Sequence, residues 1–149
     1  MDGVLHIKKF EELSLMELLN IMRIRQEVFF LEQKVDCEEI DDADPFCTHM
    51  WEEENDRITG YLRLVPAGIV YKQPSIGRVL TRSEYRRNGI SRRMMERAID
   101  HIFEEWGGEE IVISAQAYLK DYYASLGFKT ISDEYLDGGI PHYKMSLKI

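Results

Sequence analysis

Apolar and polar residues alternate along this chain in stretches that predict a regular series of strands and helices. A period of two predicts strands over 4–10, 48–53, 58–65, 75–81, 128–131 and 142–149, and a short apolar run adds 111–113. A period of 3.6 predicts helices over 15–32, 90–106 and 119–126. The predicted order is β-α-β-β-β-α-β-α-β-β, an α/β fold with a mixed sheet in a single domain spanning 1–149.

The first predicted helix begins with a capping-box pattern, Ser14 followed by Glu17. Its core-facing stripe is predicted to begin with Leu15, Leu18, Leu19 and Met22. Arg25 continues this stripe and needs a partner, because a polar group on a core-facing stripe is costly without one. Three interpretations of Arg25 are open: it pairs with Glu32, it binds the acidic loop that follows the helix, or it borders a cleft.

A basic turn, Arg86-Arg87-Asn88-Gly89-Ile90-Ser91, joins the strand 75–81 to the most regular amphipathic helix of the chain. Gly89 allows a ligand to approach the backbone closely, and the start of the helix offers unpaired N–H groups. Together with two arginines, these features favour a phosphate group. A solvated cationic turn is the alternative, but its position between strand and helix favours the phosphate site.

The strand 111–113 is apolar throughout, which predicts burial on both faces and a parallel neighbour. The helix 90–106 then joins two parallel strands, 75–81 and 111–113, by a right-handed crossover. Ligands in such sheets bind at the carboxyl ends of the strands, which is where the basic turn lies.

Composition limits the kinds of binding partner and the cell compartment that we expect for this protein. The chain has 149 residues, 44% of them hydrophobic, and a net charge of −8, which argues against nucleic acid or an anionic membrane as a partner. It contains no apolar run of membrane-spanning length and no signal-peptide pattern, so we expect a cytoplasmic protein. The spacing of Cys37 and Cys47 matches no zinc motif, and we expect no metal.

Charge is distributed unevenly along the chain. Eleven acidic residues and one basic residue lie between Glu32 and Asp56, whereas seven arginines and two acidic residues lie between Arg78 and Arg97. One region can therefore attract cations and another can hold anions.

Two motifs in this order resemble the GNAT superfamily of N-acetyltransferases. They are the strand–Arg86-Arg87-Asn88-Gly89-Ile90-Ser91–helix unit and the segment Tyr122-Tyr123-Ala124-Ser125-Leu126-Gly127-Phe128. The chain is similar to the ElaA-like branch through 25–33, 77–79, 115–117 and 139–142. Ser91 departs from the family pattern, in which glycine or alanine is usual; its hydroxyl contacts phosphate or caps the helix.

The resemblance implies that acetyl-CoA is the cofactor. The residues that it implies for the cofactor site are Val79, Leu80, Thr81, Arg86, Arg87, Asn88, Gly89, Ile90, Ser91, Gln116 and Tyr122. In the family the central strand splays from its neighbour, so a freed N–H near 79–80 donates to the thioester oxygen. The resemblance also implies that Tyr123 protonates the departing sulfur.

The resemblance leaves the general base and the acceptor open. Glu32, His49 and His142 are candidates for the base, and Arg25, Phe29, Glu32 and His142 are predicted to bind the acceptor. We expect transfer of acetyl from acetyl-CoA to a primary amine of a small molecule or peptide, with a preference for a cationic amine. The rival interpretation is an acyl-CoA sensor without efficient turnover. The oligomeric state stays open, with a homodimer among the alternatives.

Overall fold

The computed structural model describes residues 3–34 and 38–149. Within them, the eight strands are Val4–Lys9 (β1), Thr48–Glu54 (β2), Arg57–Val65 (β3), Ser75–Thr81 (β4), Glu110–Gln116 (β5), Lys129–Thr130 (β6), Tyr135–Asp137 (β7) and Ile140–Lys148 (β8). The α-helices are Leu15–Arg25 (α1), Ile90–Glu104 (α2) and Lys120–Ser125 (α3). A π-helical segment, Gln26–Glu32, continues α1 to the predicted end of the first helix.

The predicted α/β fold is confirmed, and β4 has the predicted bounds. The order differs by one element, β7, which the sequence pattern did not predict. β7 has three residues and is too short to show an alternating pattern. It pairs with β8 through the turn at Gly138-Gly139, where both residues have positive φ.

Two antiparallel sheets replace one continuous mixed sheet. The first has the order β1-β2-β3-β4, and the second has the order β5-β8-β6, with β7 also paired to β8. β4 and β5 were expected to be parallel neighbours, but they share no ladder within the described chain. A backbone hydrogen bond of 3.0 Å from the Val112 N–H to the Pro74 carbonyl joins them where both begin. Beyond this point each strand pairs only on its other side, so the predicted splay is present.

The core lies beneath α2 and connects the two sheets. The face of α2 that was predicted to be apolar is buried, through Ile90, Met94, Met95, Ala98 and Ile102. It packs in one cluster with Met50, Leu62, Leu64 and Ile76 of the first sheet and Ile111, Ile113 and Met145 of the second. α2 therefore fixes the position of β4 relative to β5, although the two strands do not pair.

The predicted core-facing stripe of α1 is wrong in its first part, whereas the burial predicted for Arg25 is confirmed. Leu15 is 87% exposed and Met22 is 36% exposed, whereas Ile21 and Ile24 are buried. Apolar residues occur on both sides of this helix, so periodicity alone does not identify the buried side. The structure selects Ile21, Ile24 and Val28, which pack in a second cluster with Trp51, Ile58, Tyr61 and Leu80.

We predict that Ile24→Ala lowers the free energy of unfolding by about 2–4 kcal/mol, because it leaves a cavity in the second cluster. Leu15→Ala on the same helix is the matched control and should change it by less than about 0.5 kcal/mol. Urea unfolding of both variants measures these differences. Equal losses in the two variants would contradict the observed orientation of α1.

Candidate active site

A cavity of about 890 Å³ lies where β4 and β5 separate. Its walls include the second half of β4, the end of β5, the turn before α2, α3 and the turn that leads into β8. The basic turn lines one end. The other end is bordered by the acidic loop 38–46 and by Asp137, Ile140 and His142. The cavity therefore extends from an arginine-rich end to an end that carries carboxylates.

The N-terminus of α2 forms the arginine-rich end. Gly89 precedes the helix with φ of 74°, and no side chain caps the first turn. The N–H groups of this turn consequently lack the usual partners, and Gly89, Ile90 and Ser91 line the cavity. Arg87 lines it too and forms no ion pair within residues 3–34 and 38–149.

Arg86 is already engaged by protein groups. Its Nε donates to the Thr81 carbonyl at 3.0 Å, and its guanidinium forms a salt bridge with Glu32 on the π-helical segment. Glu32 does not line the cavity. The suggested Arg25–Glu32 pair is therefore absent, and Glu32 lies beside the basic turn.

Two contacts attach α3 to the start of α2. The hydroxyls of Ser91 and Tyr122 lie 2.8 Å apart, and Arg92 donates to the Ser125 hydroxyl at 3.0 Å. Ser91 thus neither caps the helix nor stays free, but fixes Tyr122. The adjacent Tyr123 is 8% exposed and lines the cavity, and its burial raises its pKa well above the ordinary tyrosine value.

A β-bulge interrupts β4 halfway along the cavity. Arg63 of β3 pairs with Gly77 and Tyr61 pairs with Leu80, so Arg78 and Val79 together face Leu62. Arg78 has φ of 54°, a left-handed conformation that costs a residue with a side chain about 1–3 kcal/mol. Two residues therefore stand opposite one, and the regular ladder with β3 is disrupted at Val79.

Three arginines hold the acidic loop. Arg25 donates to Asp44 and to Glu39 at 2.7 Å each, and Arg63 donates to Asp41 at 2.7 Å and to Asp44 at 2.9 Å. Arg78 contacts Glu39 Oε2 at 2.9 Å. Each buried charge therefore has an opposite partner, as burial requires. Arg25 binds the loop, which is one of the alternatives that the sequence left open, and does not line the cavity.

The pKa values of two carboxyl groups in this network are shifted in opposite directions. Burial by itself raises the pKa of Asp44, but the hydrogen bond and the charge of Arg25 outweigh it and lower that pKa to about 2. For Glu39, burial dominates over the charges of Arg78 and Arg25, so its pKa is raised.

His49 is enclosed in the same region. Its Nε2 lies 3.1 Å from the Asp44 carbonyl and its Nδ1 lies 2.7 Å from the Tyr61 hydroxyl. Because a carbonyl only accepts, Nε2 carries the hydrogen and Nδ1 accepts from Tyr61. Burial lowers the pKa of His49, and the ring is 1% exposed and does not line the cavity.

His142 lines the cavity near Asp137 and Ile140. Its Nδ1 lies 2.7 Å from the Ile140 carbonyl, so Nδ1 carries a hydrogen and Nε2 is the acceptor of the neutral ring. The ring stacks on Tyr135 with centroids 6.1 Å apart. Of the three candidates for the general base, His142 alone lies on the cavity wall.

Most of the residues that the sequence suggested do meet at this cavity. Those that line it are Phe29, Val79, Leu80, Thr81, Arg86, Arg87, Gly89, Ile90, Ser91, Gln116, Tyr122, Tyr123 and His142. Arg25, Glu32, His49 and Asn88 do not. Tyr71, Ser114 and Asp137 line it without having been suggested, because their segments carry no motif that marks a site.

Cys47 is buried, and its thiol lies 3.2 Å from the Ala43 carbonyl. Cys37 lies outside the described residues. Within residues 3–34 and 38–149 no group of His, Cys, Asp or Glu side chains has the arrangement of a metal site. In the same ranges, no helix has both the length and the apolar character needed to cross a membrane.

A gap between two sheets lies beside an uncapped helix start, an arrangement that can hold a phosphate group. The model of the Acetyltransferase (GNAT) domain matches residues 25–149. The chain belongs to the GNAT acetyltransferase family, whose members use acyl-CoA.

Relatives and solved structures support this assignment. A UPF0039 protein of Schizosaccharomyces pombe is 37% identical over 144 residues, 95% of each chain, and the protein ElaA of Escherichia coli is 27% identical over 140 residues, 93% and 92% of the two chains. An acyl-CoA N-acyltransferase from Pseudomonas aeruginosa superposes with a TM-score of 0.92 at 33% identity, covering 97% of this chain and 99% of that one. The structure of E. coli ElaA gives 0.91 at 25% identity, covering 98% and 99%. The predicted resemblance to GNAT and ElaA proteins is confirmed.

Asp44 should make stability depend on pH. Its folded pKa of about 2 lies below the unfolded value, so its contribution is present above about pH 4 and is lost as the pH falls toward 2. Asp44→Asn should cost about 3 kcal/mol at pH 7, because it removes one partner of a buried ion pair. The difference from wild type should shrink between pH 4 and pH 2.

Urea unfolding at a series of pH values measures this difference. Asp42→Asn is the matched control, since Asp42 is an exposed acid of the same loop. A difference between wild type and Asp44→Asn that is constant from pH 7 to pH 2 would show that Asp44 is not the linked group.

Proposed function

We propose that this protein transfers the acetyl group of acetyl-CoA to a primary amine, with the cofactor at the arginine-rich end of the cavity. The observation that carries this proposal is the uncapped start of α2, which opens onto the cavity beside Arg87. Backbone N–H groups, the positive end of a helix dipole and a free guanidinium together favour a pyrophosphate. We also propose a cytoplasmic location, which suits the buried free thiol of Cys47.

Two groups along the cavity fit the chemistry of aminolysis. A thioester carbonyl placed beside the bulge would receive a hydrogen bond from backbone N–H at Val79 or Leu80, which stabilises the developing oxyanion. Tyr123 would protonate the departing thiolate. Its pKa is raised by burial, so it stays protonated at neutral pH, as an acid must.

His142 is the residue that we propose to remove a proton from the amine, directly or through water. In the neutral tautomer Nε2 is the acceptor, because Nδ1 donates to the Ile140 carbonyl. A neutral imidazole on the cavity wall is suited to this step. Glu32 and His49 are less suited, since neither lines the cavity.

The acceptor is proposed to be a cationic amine that enters at the acidic end. Arginines already compensate Glu39, Asp41 and Asp44, so the acidic stretch attracts cations less than its composition suggests. Glu38 and Asp137 line the cavity and form no salt bridge within the described ranges. These two carboxylates can attract a protonated amine, and salt should weaken that attraction.

Gly89→Val should abolish most of the binding of acetyl-CoA. At about a hundredfold over Kd, the cofactor should stabilise the wild-type protein by roughly 2.7 kcal/mol, seen as a rise in melting temperature. A valine at Gly89 would be strained at φ of 74° and would project toward the bound pyrophosphate.

Gly68→Val is the matched control. Gly68 also has positive φ, 87°, with nothing within 4 Å of an added Cβ, and it does not line the cavity. This variant should lose basal stability and keep the full rise with acetyl-CoA. No thermal shift of the wild-type protein at millimolar acetyl-CoA would refute the proposed cofactor.

Tyr123→Phe should lower kcat on the order of 10²-fold and leave the affinity for acetyl-CoA nearly unchanged. The loss is at the low end for a general acid, because a thiolate leaves tolerably well without a proton. Release of free thiol from acetyl-CoA, followed with cationic and neutral amines, measures it. Tyr143→Phe is the control, because it removes the hydroxyl of a tyrosine that does not line the cavity.

If Tyr123→Phe keeps the wild-type kcat under conditions in which the chemical step limits the rate, Tyr123 has only a packing role. Binding of acetyl-CoA without thiol release for any amine would favour the sensor interpretation over the enzyme.

A further inference from the structure

Arg78, on the cavity wall, has both an unusual backbone conformation and a side chain that contacts the acidic loop. Its backbone adopts the left-handed conformation that creates the bulge in β4, with φ of 54°. Its side chain is only 24% exposed, and its Nε and Nη2 atoms contact the acidic loop. A residue other than glycine keeps the left-handed backbone conformation only where the surrounding structure holds it in place.

The acidic loop holds Arg78 at four points. Nε lies 2.9 Å from Glu39 Oε2 and donates to the Glu39 carbonyl at 3.1 Å. Nη2 donates to the Glu38 carbonyl at 3.2 Å and to Asp41 Oδ2 at 3.3 Å. A planar guanidinium that makes several bonds at once fixes its orientation as well as its position.

The acidic-loop groups that hold Arg78 are themselves held by two other arginines. Asp41 receives two hydrogen bonds from Arg63, at 2.7 and 3.1 Å, and Glu39 receives two from Arg25, at 2.7 Å each. Arg63 and Arg25 lie on β3 and α1, which are packed in the protein core. The bulge is therefore connected through Arg78 and the acidic loop to two rigid elements.

We propose that Arg78 is a positioning residue for acyl transfer, because its anchored side chain holds the bulge that aims backbone N–H groups at the thioester oxygen. The inference rests on the proposed function, since it concerns the same bulge. The charge of Arg78 is compensated by Glu39 and Asp41, so it acts on the reaction through the backbone and not as a ligand of the substrate.

The test is the carbonyl stretching band of bound [1-¹³C]acetyl-CoA, recorded by isotope-edited difference infrared spectroscopy. A hydrogen bond to the thioester oxygen shifts this band to lower frequency than in free acetyl-CoA. Arg78→Ala should return the band most of the way to the free position, since it keeps the backbone strain and loses the anchor. It should lower kcat by about 10- to 100-fold and leave the KM for acetyl-CoA within about twofold.

Arg78→Gly separates backbone strain from anchoring. Glycine adopts the left-handed conformation freely, but nothing holds it there. Its band should be broad and lie between those of wild type and Arg78→Ala. This variant relieves strain, so it also serves as the measurement if Arg78→Ala does not fold.

Ile102→Ala is the matched control for a general loss of stability. Ile102 is buried in the apolar core beneath α2 and does not line the cavity. At a temperature where this variant is folded, it should keep the wild-type band and at least half of kcat.

Wild-type bands and wild-type kcat in Arg78→Ala or Arg78→Gly would overturn the proposal. A shift in Ile102→Ala as large as in Arg78→Ala would overturn it too, because the effect would then be one of stability alone. The infrared experiment needs binding but no turnover. Binding without transfer to any amine would therefore refute the enzyme and still decide the role of Arg78, whereas absence of binding would refute both.

Discussion

The separation of β4 from β5 is the constraint on which the rest of this structure depends. The strands meet at the Val112–Pro74 hydrogen bond and then form ladders only with β3 and β8, respectively. Two edges of unpaired backbone facing each other inside a domain are costly unless another group satisfies them. α2 holds the two sheets at this distance through one apolar core, and its own uncapped start opens onto the gap. The fold thus maintains a cavity lined by donors that a cofactor can use.

The second constraint is electrostatic. Three arginines from α1, β3 and β4 meet three carboxylates of one loop in a partly buried cluster. Such a cluster gives little net stability relative to apolar packing, but it fixes geometry, because every member needs its partner. Its value in this protein is the position of the loop and of Arg78 at the cavity wall, close to where we propose that chemistry occurs.

The sequence predicted the parts of the fold that depend on local patterns. The bounds of β4, the capping box of Ser14 and the buried side of α2 follow from periodicity and capping chemistry, and all three are confirmed. The buried side of α1 was missed because Leu15 and Met22 make the opposite side equally apolar. The antiparallel partner of β5 was missed because an apolar strand shows that both faces are covered and does not show which strand it pairs with.

The same distinction between local patterns and long-range contacts applies to the candidate site. The basic turn and Tyr123 lie in contiguous motifs, so the sequence could place them together at the cavity. The partners of Arg25 and Glu32 depend on contacts across 14 residues or more of chain, and Arg25 was left with several alternatives that only the fold decides. Tyr71, Ser114 and Asp137 reach the cavity from segments separated along the chain, which no local pattern reveals.

The most direct test of this account is a titration of ¹⁵N-labelled protein with coenzyme A, followed by backbone amide chemical shifts. The account predicts that the largest shifts are those of Gly89, Ile90 and Ser91, at the start of α2, with a second group at Val79 and Leu80 of the bulge. Saturable shifts centred instead on the groove between α1 and the β2–β3 hairpin, near Asn20 and Arg57, would contradict it.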